Sequence, residues 1–188
     1  MKLEALTLDQ CQTVRIWRND CLETLRTPYP LTEEQQEAFY RDVVCNRNSQ
    51  HRYFAIVDDS YVVSKEDSTV KEYYFFGMGG ITNIQWENRI GEISLILHQE
   101  QRGQGIGIKA VDLLLDQAFN YLNLHTVFGE CYRCNPAWEF WQKVTGKYCG
   151  FAKTGYLDLP NRKYWQGEYY DSLCFSIDKE DFNNHGST

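Results

Sequence analysis

The most constraining feature of this chain is a short apolar strand that leads through a glycine-rich turn into an apolar helix. The strand covers Glu92 to Leu97, and the turn reads Arg102-Gly103-Gln104-Gly105-Ile106-Gly107. Apolar residues then recur every three or four positions, as in an amphipathic helix that packs on a sheet: Ile108, Val111, Leu114, Leu115, Ala118, Phe119 and Leu122. Such a helix start offers unpaired backbone N–H groups and the positive end of the helix dipole to an anion, and suits a pyrophosphate. The alternative is a tight turn that needs glycine only for its backbone geometry.

Two familiar phosphate-binding motifs do not match this turn. Gly103 and Gly105 begin a Gly-x-Gly-x-x-Gly dinucleotide fingerprint, but Ile108 stands where the third glycine belongs. A triphosphate-binding loop needs Gly-Lys followed by Ser or Thr, whereas residues 107–110 read Gly-Ile-Lys-Ala. The sequence therefore disfavours both classes.

Composition restricts the function further. The 188 residues carry 19 Lys plus Arg against 26 Asp plus Glu, a net charge of −7, which argues against a protein that binds nucleic acid through its phosphates. No apolar run reaches the roughly 18 residues of a membrane span, and the start lacks the apolar stretch of a signal peptide. Seven cysteines without regular spacing favour reduced thiols. We expect a cytoplasmic protein with neither a nucleic-acid nor a membrane partner.

Strand and helix signals alternate along the chain and predict a mixed α/β sheet within a single domain, residues 1–188. The predicted helices run from Thr7 or Asp9 towards Arg18, from Glu33 to about Val44 with Thr32 and Gln35 as a capping box, from the glycine turn to Leu122, and from Pro136 to about Lys143. The predicted strands are Leu3 to Leu6, Tyr53 to Val57 before a turn at residues 58–60, Tyr73 to Ile84, Glu92 to Leu97, Thr126 to Tyr132, Phe151 to Leu157 and Leu173 to Ile177, with an exposed loop at Ser64 to Glu72.

Residues 102–107 also fit the pattern Arg or Gln, any two residues, Gly, any residue, Gly or Ala. This is the pyrophosphate motif of the GNAT superfamily of acyl-CoA-dependent N-acetyltransferases, which the sequence resembles. Residues 17–20, 91–97 and 135–137 look like the branch that includes ribosomal-protein alanine and nucleotide-sugar acetyltransferases. The resemblance implies a GNAT-like fold, a central twisted mixed sheet flanked by helices, in which parallel strands near residues 93–97 and 127–132 splay apart.

The resemblance implies a transferase that moves an acetyl group from acetyl-CoA to a primary amine by direct attack in a ternary complex. The acceptor is a protein N-terminus, an amino sugar nucleotide or a small amine such as a polyamine or drug. The protein is expected to act as a monomer or homodimer and to need no metal. The alternative is a catalytically degenerate module that binds CoA or a protein partner.

The resemblance also implies a set of site residues. A backbone N–H near Ile96 or Leu97 stabilises the developing oxyanion, and Glu92 deprotonates the acceptor, unless Glu92 binds the acceptor or caps a backbone group. Lys143 contacts the cofactor phosphates or is a solvated lysine at a helix end. The full set of expected cofactor contacts is Leu95, Ile96, Leu97, Arg102, Gly103, Gln104, Gly105, Ile106, Gly107, Asn135 and Lys143.

The residue that protonates the departing thiolate has no clear counterpart. In proteins of this kind it is usually a tyrosine about seven residues after the asparagine, but Gln142 stands there and Trp141 precedes it. Tyr132 and Tyr148 are near in sequence. A thiolate also leaves readily without an acid near neutral pH.

Aromatic residues are expected to line the acceptor pocket or, alternatively, to belong to the core. The candidate wall residues are Trp17, Asn19, Tyr29, Trp165 and Tyr170. Cys131 and Cys134 have the spacing of a redox or zinc pair, but no second pair follows, so we interpret them as structural. The four histidines have no metal-ligand spacing.

Overall fold

The computed structural model describes residues 1–63, 72–149 and 156–185. The strands are β1 Lys2–Ala5, β2 Arg52–Val63, β3 Glu72–Gln85, β4 Ile90–Leu97, β5 Thr126–Tyr132, β6 Tyr156–Trp165 and β7 Glu168–Asp178. The helices are α1 Leu8–Asn19, α2 Glu33–Phe39, α3 Ile106–Asp116, α4 Trp138–Cys149 and α5 Lys179–His185, with π-helical turns extending α2 over Tyr40–Val44 and α3 over Gln117–Tyr121.

All the described strands join one seven-stranded sheet in the order β1-β2-β3-β4-β5-β7-β6. Neighbouring strands are antiparallel except β4 and β5, which run parallel. The parallel pair lies on either side of the crossover through α3, as expected for a β-α-β connection. The predicted mixed α/β fold is confirmed.

Local signals in the sequence set the helix starts. Thr7 caps α1 and Thr32 caps α2, and in each case a glutamine three residues later closes the reciprocal capping box, Gln10 and Gln35 respectively. The apolar stripe of α3 packs on the sheet, with Val111, Leu114, Leu115, Ala118 and Phe119 fully buried. A second cluster, which includes Cys11, Val14, Ala55, Val57 and Met78, lies under α1 on the other face. The sheet is therefore covered on both faces.

Several predicted boundaries were wrong. No turn forms at residues 58–60, because β2 continues to Val63 and Asp58 pairs with Tyr74 of β3. Asp58 tolerates this strand position because the Met1 ammonium lies 3.6 Å from its carboxylate. Pro136 lies in a turn, and α4 starts at Trp138 and continues beyond Lys143 to Cys149.

The end of the chain also departs from the prediction. Strands β6 and β7 form a longer hairpin than the two predicted strands, with Gly167 in the left-handed region at φ 91° in its turn, and α5 was not predicted. Residues 64–71 of the predicted loop and residues 151–155 of one predicted strand lie outside the described residues. In the described ranges, no helix is long and apolar enough to cross a membrane.

Candidate active site

The two parallel strands separate at the centre of the sheet. Their pairing runs through Ile90↔Thr126 and Gly91↔Val127 and ends at Glu92↔Phe128. Beyond that point β4 stays paired with β3 as far as Leu97, while β5 stays paired with β7 as far as Tyr132. A gap therefore opens between residues 93–97 and residues 129–132, where the resemblance placed the splayed strands.

Backbone direction decides which amides of β4 face this gap. The His98 N–H donates to the Phe76 carbonyl of β3 at 3.0 Å. Successive residues of a strand point their backbone N–H and C=O groups to opposite neighbours. The backbone groups of Ile96 therefore also point to β3, whereas those of Leu95 and Leu97 point towards β5. Of the two amides expected near the oxyanion, the Leu97 N–H is the one that faces the gap.

The glycine turn beyond β4 is open to a ligand. Gly103 and Gly105 adopt positive φ of 77° and 76°, and a Cβ built on either would meet nothing within 4 Å. Gly105 is the N-cap of α3, and the Lys109 N–H to the Gly105 carbonyl is a 3.4 Å bond at the helix start. The N–H groups of residues 106–108, which precede Lys109 in the first turn, have no acceptor within the helix. This open start of α3 fits a pyrophosphate, and Arg102 and Gln104 beside it are exposed.

An ion-pair cluster spans the two strands on one face of the gap. Arg26 donates to both carboxylate oxygens of Glu92, at 3.1 Å to Oε2 and in a closer contact with Oε1. The same guanidinium donates to Glu130 Oε2 of β5 at 3.1 Å. Glu92 is 7% exposed and also accepts a 2.8 Å bond from the Asn83 side chain. Arg26 thus bridges β4 and β5 just where their ladder ends.

Neighbouring groups shift the pKa values of Glu130 and Arg26. Burial raises the pKa of Glu130, but hydrogen bonds from Ser172 and Arg26 and the nearby Arg162 outweigh burial and leave that pKa lowered. The hydrogen bond to Glu92 raises the pKa of Arg26. Arg26 and Glu130 were not predicted as site residues, because neither belongs to a local motif and 104 positions separate them.

His51 supports Glu92 through Asn83. Its Nδ1 accepts a 3.2 Å bond from the Asn83 N–H, and Asn83 adopts a positive φ of 49° that directs its side chain to Glu92. Burial lowers the pKa of His51, and Arg52 lowers it further. Protonation of His51 would remove the acceptor that Asn83 needs.

This arrangement predicts a pH dependence of stability. Because the folded pKa lies below the unfolded value of about 6.5, unfolding takes up a proton, and the contribution of His51 decreases as pH falls through that value. We expect His51→Gln to flatten the loss of unfolding free energy between about pH 7 and pH 5. Urea titrations at several pH values measure the free energy of unfolding. If its dependence on pH is the same in the variant as in the wild type, His51 does not have this role.

Helix α4 carries no phenol at the expected position. Gln142 is exposed, and Trp141 is buried and stacks on Phe175 with ring centroids 5.0 Å apart. Asn135 directs its Oδ1 to the Ala137 N–H at 2.8 Å and so shapes the turn before α4. Lys143 is exposed on this helix.

The expected wall residues fall into two groups. Trp17 packs against Phe75 and His98, with centroid distances of 5.7 and 4.9 Å, and Asn19 holds both backbone groups of Leu31 at 2.9 and 3.0 Å. Tyr29, near this first group in sequence, is 59% exposed. Trp165 and Tyr170 lie on the β6–β7 hairpin, and both are half-buried.

The structure describes thiols at Cys131, which is buried, and at Cys134, which is half-buried. The Cys134 thiol donates to the Glu23 carbonyl at 3.3 Å, which agrees with a structural role. Among the described residues, no three His, Cys, Asp or Glu side chains are grouped so that they could hold a metal ion.

Solved structures share the fold of this chain. A mutant of spermidine N-acetyltransferase from Vibrio cholerae superposes with a TM-score of 0.75 at 18% identity and covers 100% of both chains. The complex of the Vibrio cholerae spermidine N-acetyltransferase with CoA and spermine gives 0.75 at 21% identity, over 97% of this chain and 98% of that one. A manganese complex of the same enzyme gives 0.71 at 21% identity, over 99% and 96% of the two chains. These likenesses confirm the predicted fold.

Sequence comparison points the same way. The spermidine N(1)-acetyltransferase of Vibrio cholerae is 24% identical over 132 residues, which is 69% of this chain and 64% of that protein, so the match spans just under two thirds of this curated relative. These relatives are named for spermidine, so they give no support to the specific ribosomal-protein or nucleotide-sugar branch that the motifs resembled. The profile of the acetyltransferase (GNAT) domain matches residues 1–139. The predicted superfamily is thereby confirmed: the chain belongs to the GNAT acetyltransferase family.

Proposed function

We propose that this protein transfers an acetyl group from acetyl-CoA to a primary amine of a small polyamine such as spermidine or spermine. The observation that carries the proposal is the gap between β4 and β5 beside the glycine turn at the start of α3. A gap of this kind exposes backbone groups to an extended chain, and the turn suits the pyrophosphate of the same molecule. One cofactor can therefore use both features.

The glycine turn and two residues of β4 have defined roles in this proposal. Bound acetyl-CoA supplies an activated carbonyl carbon. Gly103, Gly105 and the first amides of α3 hold the pyrophosphate, and the Leu97 N–H donates to the oxyanion that forms when the amine attacks. The backbone N–H and C=O groups of Leu95 point to the gap as well, and they pair with the pantetheine arm. Holding the amine and thioester together contributes about 7–11 kcal/mol towards lowering the barrier.

Two observations support a small cationic acceptor. The relatives described above are named for spermidine, and one solved structure is a complex with CoA and spermine. The net charge of −7 attracts a polycation over distance. A protein N-terminus and an amino sugar nucleotide are the competing acceptors, and they become outcomes of the test.

An acceptor panel tests the proposal. We expect release of free CoA from acetyl-CoA with spermidine and spermine, and kcat/KM well above that for an alanine-terminated peptide or an amino sugar nucleotide. Preference for the peptide or the sugar would refute the polyamine assignment, but the proposed acetyltransferase activity would still hold. Acetyl-CoA binding without turnover on any amine would favour the degenerate CoA-binding module instead.

The role of Glu92 is tested by Glu92→Gln, which keeps the shape and the bond from Asn83 but removes the proton acceptor. If Glu92 is the general base, kcat should fall by about 100-fold, and the acidic limb of the pH–rate profile should disappear. Asn83→Ala is the matched control, because it removes a neighbour of Glu92 and keeps the carboxylate. Unchanged activity of Glu92→Gln across pH would exclude the base role and leave acceptor binding.

The same proposal keeps the remaining expectations from the sequence. We treat residues 1–188 as one acetyltransferase domain, acting in the cytoplasm as a monomer or homodimer without a metal requirement. The expected acceptor-wall residues Trp17, Asn19, Tyr29, Trp165 and Tyr170, and the cofactor contacts Asn135 and Lys143, stay predictions.

A further inference from the structure

We propose that Arg26 is a positioning residue, which holds the Glu92 carboxylate ionised and in one orientation, and that Lys163 in turn holds Arg26 over the gap. This inference rests on the proposed acetyl transfer, in which Glu92 takes a proton from the acceptor. Arg26 belongs to the connection between α1 and α2, residues 20–32, and reaches Glu92 from there across 66 positions of the chain.

Glu92 and Glu130 lie on the face of the sheet that α1 covers. Their strand neighbours Ile93 and Cys131 belong to the core under α3 and α4. Because side chains alternate along a strand, Glu92 and Glu130 point to the opposite face. The Arg26 guanidinium contacts both carboxylates, so the connection that carries it passes over this same face of the gap.

Arg26 and Asn83 together fix the orientation of the Glu92 carboxylate. Arg26 Nη1 donates to Glu92 Oε2 at 3.1 Å, and Nη2 donates to Oε1 in a closer contact. The Asn83 side chain donates to the same Oε2 at 2.8 Å. An ionised carboxylate has about four acceptor positions, two on each oxygen. These three bonds from the described part of the chain leave one position, on Oε1, where a proton from the acceptor can arrive directly or through a water.

The charge of Glu92 depends on Arg26 as well. Glu92 is 7% exposed, and a carboxylate that is taken out of water favours its neutral acid, which cannot accept a proton. The Arg26 guanidinium offsets this cost because it places a positive charge directly against the carboxylate. The hydrogen bond to Glu92 also raises the pKa of Arg26, so this positive charge persists across the physiological pH range.

Other titratable groups near the cluster do not supply this charge. They are Glu130 and Tyr132 of β5, Arg162 of β6, Tyr53 of β2 and His51 just before β2. Burial raises the pKa of both phenols, which therefore stay neutral. Burial lowers the pKa of His51, so this ring is neutral near pH 7, and Arg162 pairs with Glu130 at 3.4 Å. The positive charge against Glu92 therefore comes from Arg26.

Lys163 fixes the backbone from which Arg26 reaches the gap. The Arg26 side chain is 52% exposed, so packing alone does not hold it. Lys163 of β6 is 6% exposed, and its ammonium donates to the Leu25 carbonyl in a close contact and to the Leu22 carbonyl at 3.5 Å. Leu25 directly precedes Arg26. The buried ammonium therefore ties the α1–α2 connection to β6 at the residue next to Arg26.

The pH–rate profile of Arg26→Met tests the first part of the proposal, because methionine keeps much of the stem and removes the charge and the donors. We expect the acidic limb of kcat to move to higher pH by about one unit or more, with the KM for acetyl-CoA unchanged. Arg26→Lys should restore the acidic limb, since it keeps the charge, but should lower kcat by about 10-fold because it lacks the fork that orients Glu92.

Arg41→Met is the matched control for charge. Arg41 pairs with the adjacent Asp42 at 2.8 Å, and both side chains are exposed, so the variant loses the same charge away from the gap. It should keep the profile of the wild type. If Arg26→Met lowers kcat without moving the acidic limb, or if Arg41→Met moves the limb equally, Arg26 does not position Glu92.

Lys163→Met tests the second part and needs no change at the ion-pair cluster, so it also serves if Arg26→Met does not fold. We expect the acidic limb to move in the same direction as in Arg26→Met, by a smaller amount. In the double variant, Lys163→Met should add nothing to the effect of Arg26→Met, because Lys163 acts through Arg26. An unmoved limb in Lys163→Met, or two effects that simply add, would overturn the role of Lys163.

A titration without acceptor separates this inference from the proposed function. Carbon NMR of protein labelled in its glutamate carboxyl groups follows Glu92, whose signal is assigned by its absence in Glu92→Gln. We expect the midpoint of this titration to lie about one pH unit or more higher in Arg26→Met than in the wild type and in Arg41→Met. If the wild type acetylates no amine yet shows this difference, the proposed function fails and the effect of Arg26 on Glu92 stands. If it acetylates amines and the midpoints coincide, the inference fails and the proposed function stands.

Discussion

Replacing Gly105 with Asp is expected to weaken acetyl-CoA binding by about 1,000-fold. Gly105 caps α3 with φ 76°, and nothing lies within 4 Å of a Cβ added there, so a carboxylate fits the space meant for the pyrophosphate. Two like charges about 4 Å apart repel by about 4 kcal/mol near a protein surface, which corresponds to this factor. Calorimetric titration with acetyl-CoA measures the loss.

Two controls separate charge from backbone strain. Gly105→Asn has the same shape as the Asp variant and tolerates a positive φ without the charge, so it should retain much more of the binding. Gly167→Asp introduces the same charge and a similar strain at φ 91°, in the β6–β7 turn, and again nothing lies within 4 Å of the new Cβ. If Gly167→Asp weakens binding as much as Gly105→Asp does, the glycine turn is not the pyrophosphate site.

Replacing Gly77 with Ala is expected to destabilise the fold by about 3 kcal/mol. A Cβ at Gly77 would lie 2.1 Å from the Ile96 carbonyl oxygen and 2.9 Å from the Leu97 Cα. Both atoms belong to the backbone of β4, which cannot move aside as the end of a flexible side chain can. Denaturant unfolding measures the loss.

Gly146→Ala is the matched control for this change. Gly146 lies on the exposed side of α4, where an added Cβ meets nothing within 4 Å. Because alanine favours a helix by about 0.5–1 kcal/mol over glycine, this variant should be slightly more stable than the wild type. Equal stability of Gly77→Ala and the wild type would mean that β3 and β4 adjust freely, and the Leu97 amide would then not be held in place for an oxyanion.

Periodic and local signals in the sequence predicted most of the fold. Threonine caps with glutamine three residues later mark the starts of α1 and α2, because that pairing depends on adjacent residues only. The stripe from Val111 to Phe119 packs as expected, since its spacing matches the helix period. The glycine turn was recognisable for the same reason, because its function depends on a short continuous segment.

Features that depend on contacts between distant residues were not predictable in this way. Arg26 reaches Glu92 across 66 positions, and the segment that carries Arg26 has neither helical nor strand periodicity. The turn predicted at residues 58–60 does not form, because pairing with β3 outweighs the turn preference of Asp58. Helix α4 starts at Trp138 rather than at the predicted Pro136, because the Asn135 side chain stabilises a turn before the helix.

The strand order carries a consequence for how the chain acquires its structure during synthesis. β7, the last of the described strands along the chain, lies inside the sheet between β5 and β6, and seven residue pairs join it to β5. Until residues 168–178 have left the ribosome, β5 has an exposed edge that can pair with another chain. The nascent protein therefore holds the half of its gap that carries Glu130 and Tyr132 unsupported until β7 has emerged, a period in which chaperone binding would protect it.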